Sequence, residues 1–336
     1  MDKYEKVLLV DVDSKIPNLA LMKLSFYLKG KDYNVELRRL GYSYYPTRKK
    51  KISFIDGSGY NLIYISTVFT PNDNIIRIIN NISVYHGGSG HDLFSRLPKE
   101  IESSPCDYSI YPDNDWTYGY ITRGCIKNCY YCFVPKKEGR LKKVNDIEFI
   151  LNTSPHRKVR FLDNNILAYS DCISELEKLV SLKIKCQFYQ GLDIDFVTDE
   201  KAYLLSKLSY YNEYVFAFDR IEQKSYIDKK LAILKKYILK DWKFKFFIYC
   251  HPKMDIKSDL LYRIEWCKDN KIIPYVMRDL SCWDSELKNF YTDLASYCNQ
   301  NNLIKNMGFE EFVNKRNIKM DRKQKTLNIV GNSSIL

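Results

Sequence analysis

The 336-residue chain has no long hydrophobic segment and no dense set of cysteines. It contains no run of about 18 uninterrupted apolar residues, so a membrane-spanning helix is excluded. The N-terminal stretch MDKYEKVLLVDVD has a short apolar run followed by acidic residues, which argues against a secretory signal. Its ten cysteines are scattered apart from one triplet, whereas a small disulfide-stabilised protein has them closely spaced. These absences predict a cytoplasmic protein with no membrane association.

The one cysteine cluster lacks a fourth cysteine. In RGCIKNCYYC, residues 123–132, Cys125, Cys129 and Cys132 form a CxxxCxxC pattern. Structural zinc sites take four protein ligands, and bacterial ferredoxin motifs supply a fourth cysteine. Three thiolates leave one iron of a cubane cluster without a protein ligand, so a small molecule can bind there. A zinc site completed by His156 or a carboxylate is the alternative that the residue types leave open.

The positive charge is concentrated in the middle of the chain. The formal net charge is +12, and most of the excess lies in residues 118–282. Lysine and arginine gain affinity for nucleic acids through counterion release. The basic pairs at 136–137, 142–143 and 229–230 nevertheless do not form one stripe. A solvated basic surface is therefore favoured over nucleic-acid binding.

Strand and helix patterns alternate in the N-terminal part, which is typical of an α/β fold. Strands are expected at residues 6–12, 35–40, 61–69 and 83–88, and helices at residues 14–30 and 71–82. This order predicts a Rossmann-like parallel sheet. Residues 95–116 have an irregular, proline-containing pattern and are predicted to be a linker, so the first domain is expected to cover residues 1–116.

Residues 117–282 contain six strand–helix repeats, which predict a partial (β/α)6 TIM-type barrel. Its strands are expected at residues 118–122, 158–163, 185–190, 213–219, 243–250 and 272–277. Catalytic groups in such barrels lie at the C-terminal ends of the strands, and the cysteine loop follows the first strand. Residues 283–336 lose the strand pattern and are predicted to be a mostly helical C-terminal extension with a frayed end.

The cysteine motif and its placement resemble the radical S-adenosylmethionine (SAM) superfamily over about residues 117–282. In that superfamily three thiolates hold a [4Fe-4S] cluster, and the amino and carboxylate groups of SAM chelate the fourth iron. The resemblance implies that Cys125, Cys129 and Cys132 are the cluster ligands and that Tyr131 lies against the adenine. It also implies reductive cleavage of SAM to methionine and a 5′-deoxyadenosyl radical, which abstracts hydrogen from a substrate.

The SAM contacts implied by the resemblance are polar groups at the strand ends. The superfamily often has a GGE-type motif after its second strand, and here FLDNN takes that place. Carboxylate and amide oxygens can accept from the methionine ammonium group, Asp219 can bind ribose hydroxyls, and Arg220 or Arg278 can bind a carboxylate. Strand-end caps and a structural ion pair are the alternative roles. The candidate contacts are Asp163, Asn164, Asn165, Gln190, Asp193, Asp219, Arg220 and Arg278.

Residues 1–116 resemble the cobalamin-binding domain that precedes the barrel in one branch of the superfamily. The likeness lies in the Rossmann-like order, the GGSG at 87–90 and the passage LPKEIESSPCDYSIYP. The DxHxxG motif that supplies a histidine to cobalt is absent, because DVDSKIPN follows the first strand. A degenerate domain that helps to form the substrate cavity is therefore favoured, and cobalamin binding stays open as the less favoured possibility.

Several other functions stay open. The resemblance implies an electron donor such as flavodoxin or ferredoxin, and a substrate that is a small molecule, a peptide or RNA. The segment CFVPKKEG is similar to tRNA methylthiotransferases, but residues 1–117 contain only Cys106 where those enzymes have three cysteines. A cobalamin-dependent methylase, an RNA-modifying enzyme and a zinc-bound, non-enzymatic binding protein are the alternatives. A second cluster, which lacks close spacing and is not favoured, would use Cys250, Cys267, Cys282 and Cys298.

Overall fold

The computed structural model describes residues 5–42, 51–80 and 83–316. The chain divides at Leu162/Asp163 into two compact units, and both contain α/β structure with parallel strands. None of the helices in the described ranges is long and apolar enough to cross a membrane. The predicted frayed end lies outside the described residues. The predicted domain boundaries at 116/117 and 282/283 stay predictions.

The first unit is built mainly on a parallel sheet with strand order β2-β1-β4-β6. Two further parallel pairs are β3 with β5 and β7 with β10, and β8 pairs with β9 in antiparallel fashion. The elements are β1 (Lys6–Asp11), α1 (Leu19–Lys29), β2 (Asn34–Arg39), β3 (Ser53–Asp56), β4 (Leu62–Ser66), β5 (Ile76–Ile79), β6 (Val84–Gly87), α2 (Lys99–Glu102), β7 (Thr117–Gly119), β8 (Thr122–Arg123), α3 (Val134–Glu138), β9 (Lys142–Lys143), α4 (Ile147–Asn152) and β10 (Lys158–Phe161).

Strand β1 lies inside the main sheet, between β2 and β4, and its apolar side chains are buried on both faces. Leu8 and Val10 pack on one face with the isoleucines of β3, β4 and β5. Val7 and Leu9 point to the other face and pack against the leucines of α1. Helix α1 begins later than predicted, because the side chain of Asn18 caps it by accepting a hydrogen bond from the Leu21 amide.

The helix predicted at residues 71–82 is wrong over residues 71–80, and residues 81 and 82 lie outside the described residues. Thr70–Asn72 form a single 3-10 turn, and Ile76–Ile79 form strand β5, which pairs with a strand that the sequence pattern did not predict. Asp73 leaves the turn in an extended conformation, and Asn74 follows with φ +61°, which a helix does not allow. Four isoleucines follow it within five residues, and β-branched side chains favour the extended conformation. Ile76 is buried beside Ile55 in the core.

The second unit confirms the predicted strand and helix alternation after residue 163. Strands β13, β14 and β15 form a parallel sheet, and β11 pairs in parallel with β12. Closure into a partial barrel and the Rossmann-like arrangement stay predictions. The elements are α5 (Cys172–Leu182), β11 (Lys185–Phe188), α6 (Asp199–Lys207), β12 (Ser209–Tyr210), β13 (Tyr214–Ala217), α7 (Lys224–Tyr237), β14 (Phe244–Cys250), α8 (Tyr262–Asp269), β15 (Ile273–Arg278), α9 (Lys288–Cys298), α10 (Asn301–Asn306) and α11 (Phe309–Arg316).

The C-terminal extension is helical over its described part, as predicted. Helix α9 packs against β15, where the Asn299 side chain accepts from the Val276 amide at 2.7 Å and donates to the Val276 carbonyl at 3.2 Å. The amide side chain therefore satisfies an edge of the β13-β14-β15 sheet that would otherwise expose backbone groups.

Candidate functional site

A short antiparallel pair closes the base of the cysteine loop. In β8 and β9, Thr122 is opposite Lys143 and Arg123 is opposite Lys142. Gly124 follows with φ +90°, and a Cβ atom there would lie 2.4 Å from the Arg140 carbonyl oxygen. Glycine is therefore required at this position, because any side chain would collide with backbone. The amide of Cys125 also donates to the Gly139 carbonyl at 3.2 Å. The start of the loop is therefore hydrogen-bonded to the backbone of the residue that follows α3.

The three cysteines are half-buried and alternate with exposed side chains. The Lys127 amide donates to Cys125 Sγ at 3.4 Å, and the Cys132 amide donates to the Cys129 carbonyl at 3.0 Å. The exposed neighbours are Ile126, Asn128, Tyr130, Tyr131 and Phe133.

The number of cysteines in the loop fits a cluster better than a structural zinc site. Structural zinc takes four protein ligands, and the loop offers three thiols. A four-iron cluster binds each thiolate at a separate iron, so three half-buried cysteines in one anchored loop suit it.

Arg123 ties the two ends of the cysteine loop together, and the sequence pattern gave no signal for this role. Its guanidinium forms ion pairs with Glu102 at 2.7 Å and with Glu138 at 2.8 Å, and lies 4.8 Å from the centre of the Tyr120 ring. Burial lowers the pKa of Arg123, but the two carboxylates outweigh burial and the pKa is raised. Glu138 is the last residue of α3. Its ion pair with Arg123 therefore holds the end of the cysteine loop beside the start of the loop.

Two of the predicted SAM contacts in the second unit hydrogen-bond to each other. Asn165 Nδ2 donates to Asp193 Oδ2 at 2.9 Å, and Asp193 Oδ1 accepts from the Asp195 amide at 3.2 Å. Asp163 is fully buried and Asn164 is half-buried. The structure therefore brings together polar groups from the segments after two predicted strands.

The other predicted SAM contacts are Asp219, Arg220, Arg278 and Gln190 in the second unit and Tyr131 in the first unit. The Asp219 and Arg220 amides both donate to Gln223 Oε1, at 3.0 and 3.1 Å, which turns the chain into α7. Arg278 stacks over the Trp283 ring, with its guanidinium carbon 3.9 Å from the ring centre, and donates to the Thr292 hydroxyl. Gln190 is exposed. In the first unit, the exposed Tyr131 ring contacts Tyr130 edge-on.

The cysteines considered for a second cluster are buried in the second unit. Cys250 Sγ and Cys282 Sγ lie 3.9 Å apart. Burial raises the pKa of Cys267 and of Cys298, so both are held as neutral thiols. Within the described residues these four do not form a metal-ligand group.

No protein-family model and no curated protein matches the chain. Among solved structures, it is similar to the apo, selenomethionine-labelled cobalamin-dependent S-adenosylmethionine radical enzyme OxsB, with a TM-score of 0.48 and 12% sequence identity. The similarity covers 91% of this chain and 56% of that one, so the chain spans little more than half the length of OxsB. At this level of similarity, function is inferred from the residues of the chain itself.

Proposed function

We propose that this protein is a radical SAM enzyme. Cys125, Cys129 and Cys132 would hold a [4Fe-4S] cluster and leave its fourth iron to SAM. The observation that carries the proposal is a backbone-anchored loop with three half-buried cysteines at CxxxCxxC spacing. When bound and reduced, the cluster supplies the electron that cleaves SAM to methionine and a 5′-deoxyadenosyl radical.

The way in which the cysteine loop is held supports this proposal. The β8–β9 pair and Gly124 fix where the loop begins, and the ion pairs of Arg123 fix where it ends. The Lys127 amide donates to Cys125 Sγ and so holds that side chain in place. Tyr131, whose ring is 39% exposed, would contact the adenine.

We assign the polar strand-end groups of the second unit to SAM recognition. Hydrogen bonding between Asn165 and Asp193 holds both side chains in defined positions, as a contact for an ammonium group requires. Arg278 stacks on Trp283, and a guanidinium is the group that binds a carboxylate most specifically. The assigned groups are Asp163, Asn164, Asn165, Gln190, Asp193, Asp219, Arg220 and Arg278.

We further propose that residues 1–116 form a degenerate, Rossmann-like cobalamin-type domain that precedes a partial barrel over 117–282. Asp13 lies in the segment where a cobalt-binding histidine is absent, and it is 2% exposed. Its carboxylate accepts hydrogen bonds from the Val68 and Phe69 amides and from Asn72 Nδ2, at 2.7, 3.0 and 2.8 Å. The segment after β1 therefore anchors the neighbouring loop, which supports a structural role.

The nucleoside products of anaerobically reconstituted protein test the proposed reaction. With iron, sulfide, a strong reductant and SAM, mass spectrometry should detect 5′-deoxyadenosine and methionine without added cobalamin. A flavodoxin or ferredoxin should replace the chemical reductant. S-adenosylhomocysteine formed only with cobalamin would identify a methylase and overturn the degenerate-domain proposal. Cleavage of SAM by neither route, in protein that holds iron and sulfide, would overturn the radical assignment.

A further inference from the structure

Two of the four histidines in the chain meet one carboxylate in the first unit. His91 Nδ1 lies 2.9 Å from Asp73 Oδ1, and His86 Nε2 lies 3.8 Å from the same oxygen. The two imidazole rings stack at 3.7 Å with an angle of 11° between their planes. Three ligand-type atoms therefore lie close together and reach the surface, with the three side chains 18, 19 and 33% exposed.

Backbone packing between two loops creates this arrangement. Gly88 has φ +94°, and a Cβ atom there would lie 2.3 Å from the Thr67 carbonyl oxygen. A Cβ atom on Gly90 would lie 2.5 Å from the Phe69 backbone. The glycines of the GGSG segment thus let the loop that carries His91 lie directly on the loop that leads to Asp73.

The loop that leads to Asp73 is itself held in place by hydrogen bonds. Buried Asp13 binds two of its amides and the Asn72 side chain. The Thr67 hydroxyl lies 2.8 Å from His86 Nε2, the nitrogen that also faces Asp73, and this hydrogen bond is exchanged for a metal bond when an ion binds. The packed backbone fixes where the three side chains begin, and one of the two stacked rings turns so that both nitrogens face the ion.

We propose that Asp73, His86 and His91 form a binding site for a divalent transition-metal ion, with Zn²⁺ as the expected occupant. Two imidazole nitrogens and one carboxylate oxygen are a donor set that suits zinc and similar ions. Zinc bonds of about 2.0–2.1 Å in tetrahedral geometry place ligand atoms roughly 3.3 Å apart. The distances to Asp73 Oδ1 bracket that value, and the exposed side of His91 leaves room for water as a further ligand.

The site is connected to the cysteine loop, because the Lys137 ammonium of α3 donates to the Ser89 hydroxyl at 2.6 Å. Ser89 lies between the two histidines in sequence. An ion here would therefore stabilise the segment against which α3 is held.

Metal titration of the full chain tests this site independently of the proposed cluster. Thiolates also bind zinc, so the background is the triple variant Cys125→Ala, Cys129→Ala, Cys132→Ala. We expect it to bind one equivalent of Zn²⁺ in competition with a chromophoric chelator. Bound Co²⁺ should give ligand-field absorption without thiolate charge transfer. His86→Ala and His91→Ala should each weaken the binding of Zn²⁺ by about 100-fold or more.

His251→Ala is the matched control, because His251 is 21% exposed and lies 3.9 Å from Asp279 in an otherwise similar histidine–carboxylate pair. It should leave the binding constant for Zn²⁺ unchanged. In wild-type chain with its cysteines intact, substoichiometric Co²⁺ should broaden the imidazole NMR signals of His86 and His91 and spare those of His251. Binding that persists in both His86→Ala and His91→Ala, or signals that all broaden equally, would overturn the site.

Discussion

Alanine at any one of Cys125, Cys129 or Cys132 is expected to abolish the formation of 5′-deoxyadenosine. Each thiolate is proposed to bind a separate iron, and the loop contains no fourth cysteine that could take its place. Wild-type protein should hold about four iron atoms and four sulfides per chain after anaerobic reconstitution. Each variant should lose most of that iron and sulfide together with the broad visible absorption of the cluster, and SAM should stay intact.

Cys106→Ala is the matched control for these variants. Cys106 also lies half-buried in the first unit, and burial raises its pKa to about 11, so its thiol stays protonated at neutral pH. Iron, sulfide and SAM cleavage should therefore remain at wild-type levels in this variant. Full cleavage activity in any of the three loop variants would contradict the assignment of the cluster ligands.

Replacing Arg263 with methionine is expected to cause a large loss of stability, about 3–5 kcal/mol. The residue is fully buried and forms an ion pair with Asp259. Its guanidinium also donates to the Phe218 carbonyl at 2.6 Å and to the Tyr249 carbonyl at 3.1 Å, near the ends of β13 and β14. Methionine fills much of the same volume but leaves a carboxylate and two carbonyls without their donor.

Urea unfolding followed by tryptophan fluorescence measures this effect. Lys271→Met is the control, because Lys271 and its partner Asp241 are 58 and 59% exposed, and it should change the free energy of unfolding by less than about 1 kcal/mol. Equal unfolding midpoints for the two variants would show that the ion pair and hydrogen bonds of Arg263 contribute little to the free energy of unfolding. Since Asp219 directly follows Phe218, weakened SAM binding is expected in Arg263→Met as well.

Local sequence patterns predicted most of the elements because burial follows a simple period in each of them. Alternating and continuous apolar runs identified β1, β4 and β14, and the 3.6-residue period identified α5 and α7. The pattern failed at residues 71–82, where Pro71 lies in a 3-10 turn that ends at Asn72 and is followed by Asn74 with a positive φ. A strand of four residues, such as β3, is too short to show a reliable period.

Side-chain pairs far apart in sequence were beyond prediction. Spacing alone identified the cysteine triplet, since all three residues lie within one loop. Arg123 pairs with glutamates 21 residues before it and 15 residues after it, so nothing local indicates the contact. The same applies to Asp73 and His91, which meet only because Gly88 and Gly90 allow two loops to pack backbone against backbone.

The most direct test of the central proposal is whether SAM binds to an iron of the cluster. Anaerobically reconstituted, reduced wild-type protein should give an electron paramagnetic resonance signal that changes when SAM is added. Electron–nuclear double resonance with SAM labelled with ¹⁵N at its amino group should then show hyperfine coupling to that nitrogen. We predict this coupling, because three cysteines leave one iron for the methionine group. A cluster signal that saturating SAM leaves unchanged, with no nitrogen coupling, would contradict the proposal.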